Sequence, residues 1–119
     1  MSDLSVLLID DNQTLVDGME TMIELHLEDL NVYTAYTGAE GLKLAIAHQP
    51  HLIFLDLNLP DMRGEEILRE VRSRRIPTRI ILLTGSDDIA AVPGVNGYLK
   101  KPVKPGYLIE TIRDMLGIE

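Results

Sequence analysis

The sequence predicts an α/β protein in which a parallel sheet is covered by helices on both faces. Three observations predict it. The apolar runs Val6-Leu7-Leu8-Ile9, Leu52-Ile53-Phe54-Leu55 and Ile80-Ile81-Leu82-Leu83 are continuous rather than alternating, as in strands buried on both sides. Segments with apolar residues at helical spacing separate them. The connections between these units are short, and repeated β-α units with short connections form a parallel sheet.

The elements follow in order. Residues 6–9 form the first strand, which ends at Asp10-Asp11. Asn12 is placed as an N-cap, and Leu15, Met19, Met22 and Ile23 then recur at helical spacing. Residues 32–36 read as a second strand. Thr37 and Glu40 have the spacing of a capping box, opening a helix with Leu42, Ala45 and Ile46 inward. Pro50 closes it, and the next strand runs into Asp56. Residues 57–64 form a loop, with turn signals at Pro60-Asp61 and Gly64. Glu65 and Glu66 suit the first turn of a helix whose apolar face is Ile67, Leu68 and Val71. The fourth strand ends at Thr84, and a short run, Tyr98-Leu99, precedes Lys101-Pro102. A last helix spans about residues 105–116, with Pro105 near its first turn and Leu108, Ile112 and Met115 inward.

Composition bounds the function. The chain has 119 residues, the length of one domain, and one domain over 1–119 is expected. Hydrophobic content of 45% and charged content of 25% are those of a globular chain. No apolar run reaches about 18 residues and no signal peptide is read, so neither a membrane span nor export is expected. The absence of cysteine removes disulfides and thiolate zinc sites and fits a reducing, cytoplasmic setting. A net charge of −8 argues against nucleic acid as partner. The one basic cluster, Arg69, Arg72, Arg74, Arg75 and Arg79, reads as a solvated helix end suited to the macrodipole.

In open parallel sheets, ligands bind beyond the carboxyl ends of the strands. Asp10, Asp11, Asp56, Thr84 and Lys101 all follow strands and should meet at that edge. Clustered carboxylates repel unless a cation is bound or their pKa values rise, so removing either Asp10 or Asp11 is expected to relieve the metal-free protein. Oxygen ligands without cysteine suit Mg²⁺ or Mn²⁺. A carboxylate can attack phosphorus to give an aspartyl phosphate, whose oxygens then need positive or donor partners. Lys101 and Thr84 supply such groups. Any one of these residues alone reads as a strand-end cap or a surface charge; the joint pattern carries the argument.

The segments Leu7-Leu8-Ile9-Asp10-Asp11-Asn12, Leu55-Asp56-Leu57-Asn58-Leu59-Pro60-Asp61-Met62-Arg63-Gly64, Thr84-Gly85 and Gly97-Tyr98-Leu99-Lys100-Lys101-Pro102, in that order, resemble the receiver domain of two-component response regulators over essentially the whole chain. The resemblance implies a doubly wound, flavodoxin-like fold with a five-stranded parallel sheet of order 2-1-3-4-5. It implies that Asp56 accepts a phosphoryl group from a histidine kinase or histidine phosphotransfer protein and so controls a downstream protein target. It implies Mg²⁺ held by Asp11, Asp56 and the backbone carbonyl of Asn58, with Asp10 acting through coordinated water. Lys101 would contact the phosphoryl group, Pro102 would follow a cis peptide bond, and Thr84 with Tyr98 would form a switch pair. On the residues alone, Tyr98 is an ordinary half-buried aromatic of an edge strand.

The chain departs from that family between Thr84 and Tyr98. Residues 85–97 are too few for a helix of about 10–14 residues with loops of about 2–6 on either side. Pro93-Gly94 breaks the stretch further, leaving residues 86–92 for any helix. The fourth helix is therefore expected to be short or absent, and residues 86–96 to be the mobile part of the domain. Gly85 is a smaller departure, since alanine is commoner there.

Other readings compete. A flavin mononucleotide module needs a glycine- and hydroxyl-rich loop after the first strand, where Asp10-Asp11-Asn12 would repel phosphate. An aspartate-nucleophile phosphatase needs a general acid two residues after the nucleophile, where Asn58 stands. A phosphorylation-independent interaction domain on the same fold is opposed by the complete acid set with Thr84 and Lys101.

Overall fold

The computed structural model describes residues 3–85 and 92–119. In chain order the elements are β1 (Ser5–Ile9), α1 (Gln13–His26), β2 (Asn31–Ala35), α2 (Gly38–His48), β3 (Leu52–Asp56), α3 (Gly64–Ser73), β4 (Arg79–Thr84), β5 (Gly97–Lys100) and α4 (Pro105–Leu116). The five strands form one parallel sheet in the order β2-β1-β3-β4-β5, the expected doubly wound, flavodoxin-like topology. Its chain order turns back between β1 and β3, so the carboxyl ends of these two strands border a crevice.

Each strand is strand because it is buried on two sides. Every residue of β1 and β3 is buried, whereas β2 and β5, at the edges, are partly exposed. Successive side chains point to opposite faces. Val6, Leu8, Leu52, Phe54, Ile81 and Leu83 therefore meet Val16, Met19 and Ile23 of α1 and Leu108, Ile109 and Ile112 of α4. On the other face, Leu7, Ile9, Ile53, Leu55, Ile80 and Leu82 meet Ala45 of α2 and Ile67, Leu68 and Val71 of α3. Each fully buried aliphatic side chain contributes about 1.5–3 kcal/mol relative to exposure, so two such layers hold the sheet rigid.

The helix starts follow their caps. Asn12 Oδ1 accepts the Leu15 N–H at 3.1 Å, and Thr37 Oγ1 accepts the Glu40 N–H at 3.2 Å. Two helix faces differ from the sequence expectation. In α1, Val16 joins Met19 and Ile23 in the core while Leu15 and Met22 lie at its margin. In α2 the central contact is made by Gly38, Gly41 and Ala45, with Leu42 and Ile46 flanking it. The helix sits so close to β1 that a Cβ on Gly41 would stand 2.7 Å from Ile9 Cδ1.

Among the described residues there are four helices, and none is long and apolar enough to cross a membrane. The expected shortened helix between β4 and β5 falls largely on residues 86–91, outside the described residues. The adjoining residues 92–96 are not helical; they turn at Pro93-Gly94, where Gly94 has φ +87°.

Candidate functional site

The strand ends place the predicted residues at one edge. Asp10 follows β1 and continues its ladder, its N–H donating to the Ala35 carbonyl at 3.1 Å. Asp56 closes β3, in register with Leu83 of β4. Thr84 closes β4 opposite Lys100 of β5, and the Lys101 N–H donates to the Thr84 carbonyl at 2.7 Å. The Lys101–Pro102 peptide bond is cis.

The side chains converge as well. One carboxylate oxygen from each of Asp10, Asp11 and Asp56 lies within 4.8 Å of the others. Asp10 is fully buried, Asp56 is 5% exposed, and Asp11 is exposed. The Lys101 ammonium stands 2.6 Å from Asp10 Oδ2 and 3.5 Å from Asp56 Oδ2. Backbone N–H groups fix the remaining oxygens. Asn12 N–H donates to Asp10 Oδ1 at 3.0 Å, and Asn58 N–H donates to Asp56 Oδ1 at 3.1 Å. The partner of Asp10 Oδ2 is the Lys101 ammonium beside it.

The electrostatics follow from burial and charge. Loss of water raises the Asp56 carboxyl above its ordinary range; the Asn58 N–H and Lys101 pull it down, and the Asp10 charge pushes it up. Burial opposes the charge on Lys101, but the hydrogen bond to Asp10 and the charges of Asp56 and Asp10 more than offset it, so its pKa is raised. The site is thus an ammonium facing two buried carboxylates, with the exposed Asp11 carboxylate alongside.

Tyr98 lies on β5, 37% exposed, and its hydroxyl accepts the Val92 N–H at 3.3 Å. It stands in register with Leu82, two residues before the Thr84–Lys100 pair on the same two strands.

Two residues near the site acquire roles that the sequence reading did not give them. Asp61, read as a turn residue, accepts the Gly38 N–H at 2.7 Å and the Ala39 N–H at 2.9 Å at the start of α2. Those bonds hold its carboxyl below the usual range. Arg72, read as part of a solvated helix end, is half-buried and donates to the carbonyls of Thr78 at 2.7 Å and Gly94 at 2.8 Å. The bonds of Asp61 to α2 and of Arg72 to Gly94 join residues 22 or 23 apart, so no local spacing announces them.

The sequence matches the response regulator receiver domain family over residues 6–113. It is 37% identical over 114 residues to the cell cycle response regulator CtrA of Brucella ovis, covering 92% of this chain and 48% of that protein. The chain spans about half the length of the curated relatives it matches. Among solved structures, a CheY-like response regulator receiver domain protein from Methanospirillum hungatei is similar with a TM-score of 0.84 at 30% identity, covering 98% of this chain and 95% of the other. The signal receiver domain of a LuxO-type repressor protein from Vibrio parahaemolyticus is similar with a TM-score of 0.87 at 28% identity, covering 96% and 90%.

Proposed function

The chain belongs to the response regulator receiver domain family, and from that premise we propose that Asp56 takes a phosphoryl group from a phosphohistidine and so switches a protein-interaction surface. The observation that carries this reading is the Asp56 carboxylate itself. It is held at the end of the central strand by the Asn58 N–H, with Oδ2 facing the Lys101 ammonium at 3.5 Å and two further carboxylates alongside.

An Asp56 oxygen attacks phosphorus; the P–N bond to the donor imidazole breaks, its electron pair stays on the ring nitrogen, and the ring takes up a proton as it leaves. The Asn58 N–H orients the nucleophile. Lys101 balances the added phosphoryl charge, and the Thr84 hydroxyl donates to a phosphoryl oxygen. When Thr84 turns inward it vacates space for the Tyr98 ring, which stands partly exposed on the neighbouring strand.

A hard divalent cation fits the residues present. The donors are all oxygen, cysteine is absent, and one carboxylate oxygen from each of Asp10, Asp11 and Asp56 lies within 4.8 Å of the others. Asp11, Asp56 and the Asn58 carbonyl would hold Mg²⁺ or Mn²⁺, with Asp10 reaching it through water. When bound, the cation neutralises charge on the phosphoryl oxygens.

On this reading residues 1–119 act as one receiver domain in the cytoplasm. It catalyses only its own phosphorylation and dephosphorylation, takes phosphate from a histidine kinase or histidine phosphotransfer protein, and signals to a downstream protein rather than to nucleic acid or membrane. Incubation with Mg²⁺ and acetyl phosphate or phosphoramidate is expected to add one phosphate by intact mass, and Asp56→Asn to abolish the gain. Undiminished phosphorylation of Asp56→Asn would exclude the assignment.

A further inference from the structure

The loop of residues 57–63 carries Asn58 into the site and is held from two sides. From within, the Gly64 N–H donates to the Leu57 carbonyl at 3.0 Å, and Asn58 bridges to Arg63. From outside, α2 receives it. Asp61 takes the first two free N–H groups of that helix, Gly38 and Ala39, while Thr37 Oγ1 takes the third, Glu40. Met62, the next residue, packs where a Cβ on Gly38 would stand, so the helix start is shaped for this loop. Helices need caps on these N–H groups, but a cap from within the chain's own turn would serve. Here the cap comes from 23 residues away, out of the loop that presents Asn58.

We propose that Asp61 is a positioning residue for the phosphorylation site: by anchoring the loop to α2 it aims the Asn58 N–H at Asp56 and the Asn58 carbonyl at the cation. This rests on Asp56 being the phosphoacceptor. Two charge-assisted bonds to a helix buried against β1 fix the loop to the same rigid body that holds Asp10 and Asp11. Without them, the loop would keep its internal bonds and the apolar packing of Leu57, Leu59 and Met62 but lose its polar tie to α2, and Asn58 would lose its aim while Asp56 stayed in place.

The test compares Asp61→Ala and Asp61→Asn with Thr37→Ala, which removes the other cap of α2 without touching the loop. Three quantities are read: thermal midpoint, amide hydrogen exchange at Asn58 in metal-free protein, and Mg²⁺ affinity by calorimetry. Both alanine variants are expected to lower the midpoint by similar amounts. Only Asp61→Ala should speed Asn58 exchange and weaken Mg²⁺, each by about tenfold, the lower end of what loss of an outer-shell partner does to metal affinity. Asp61→Asn, which keeps one acceptor oxygen, should fall between, and serves if the alanine variant fails to fold. Identical Asn58 exchange and Mg²⁺ affinity in the Asp61 and Thr37 variants would overturn the proposal. A wild-type protein that never gains phosphate, yet whose Asn58 exchange still responds to Asp61, would instead overturn the phosphoacceptor reading and leave the anchor standing.

Discussion

Asp10 and Asp11 are adjacent in sequence and opposite in environment. Asp10 is fully buried beneath the Lys101 ammonium, 2.6 Å away, and accepts the Asn12 N–H, whereas Asp11 faces solvent. The sequence expectation that removing either one relieves repulsion therefore needs correction for Asp10, whose charge is matched. Asp10→Asn is expected to destabilise the metal-free protein by about 1–3 kcal/mol, because a buried charged partner is lost. Asp11→Asn should shift stability by no more than about 0.5 kcal/mol while weakening Mg²⁺ more than Asp10→Asn does. Denaturant titration and Mg²⁺ calorimetry on both variants check this; equal Mg²⁺ affinity in wild type and Asp11→Asn would refute it. Asp56 obeys a different rule. Its folded carboxyl lies above the unfolded value, chiefly from burial, so the folded state holds its proton more tightly. Stability from this group is then lost as pH rises from the unfolded value, about 3.9, through the raised folded one. In chelator at pH 7, Asp56→Asn should be more stable than wild type by on the order of 1 kcal/mol, with the gap closing as pH falls. A gap that widens toward acid would contradict the assigned sign.

At the scale of elements, closeness of approach decides what each glycine does. Gly18 sits on the exposed side of α1, with no described atom within 4 Å of where a Cβ would stand. Its only effect is to loosen the helix, so Gly18→Ala should raise stability by about 0.5–1 kcal/mol. The denaturation midpoint reads this directly, and a midpoint that falls would show that α1 makes a contact there. Gly64 is the reverse case: a Cβ would lie 2.7 Å from the Asp56 carbonyl oxygen, so α3 can begin against the end of β3 only with glycine. Sequence periodicity located both helices but could not distinguish these two glycines.

Across the whole molecule, Arg72 links parts that the sheet alone leaves separate. From α3 it reaches the Thr78 carbonyl before β4 and the Gly94 carbonyl in the turn before β5. Asn96 completes the tie, exchanging bonds with the backbone of Ile80 at 2.7 and 2.9 Å. The strand that carries Tyr98 and leads to Lys101 is thus tied to α3 by the guanidinium, beside the packing of Val92 and Val95 against the same core layer. Arg72→Ala should cost about 1–3 kcal/mol, since two carbonyls lose a charged donor. Lysine should not rescue it, because a single ammonium lacks the fork that spans both. Faster amide exchange at Asn96 in both variants is the expected signature; unchanged exchange there would mean the turn is held by the sheet alone.

The parallel sheet, its two covered faces and the meeting of Asp10, Asp11, Asp56 and Lys101 were legible in the chain because they rest on local signals. A continuous Val/Ile/Leu run fixes a buried strand, and the residue after it must emerge at the carboxyl edge. Caps at Asn12 and Thr37 were legible for the same reason, since cap and N–H lie within one turn. Tertiary structure alone decided which oxygen faces which charge: that Lys101 sits closer to Asp10 than to Asp56, and that Asp10 is buried while Asp11 is exposed. It alone turned Asp61 onto α2 and Arg72 onto the turn before β5, since a hydrogen bond across 22 or 23 residues leaves no period or spacing in the sequence.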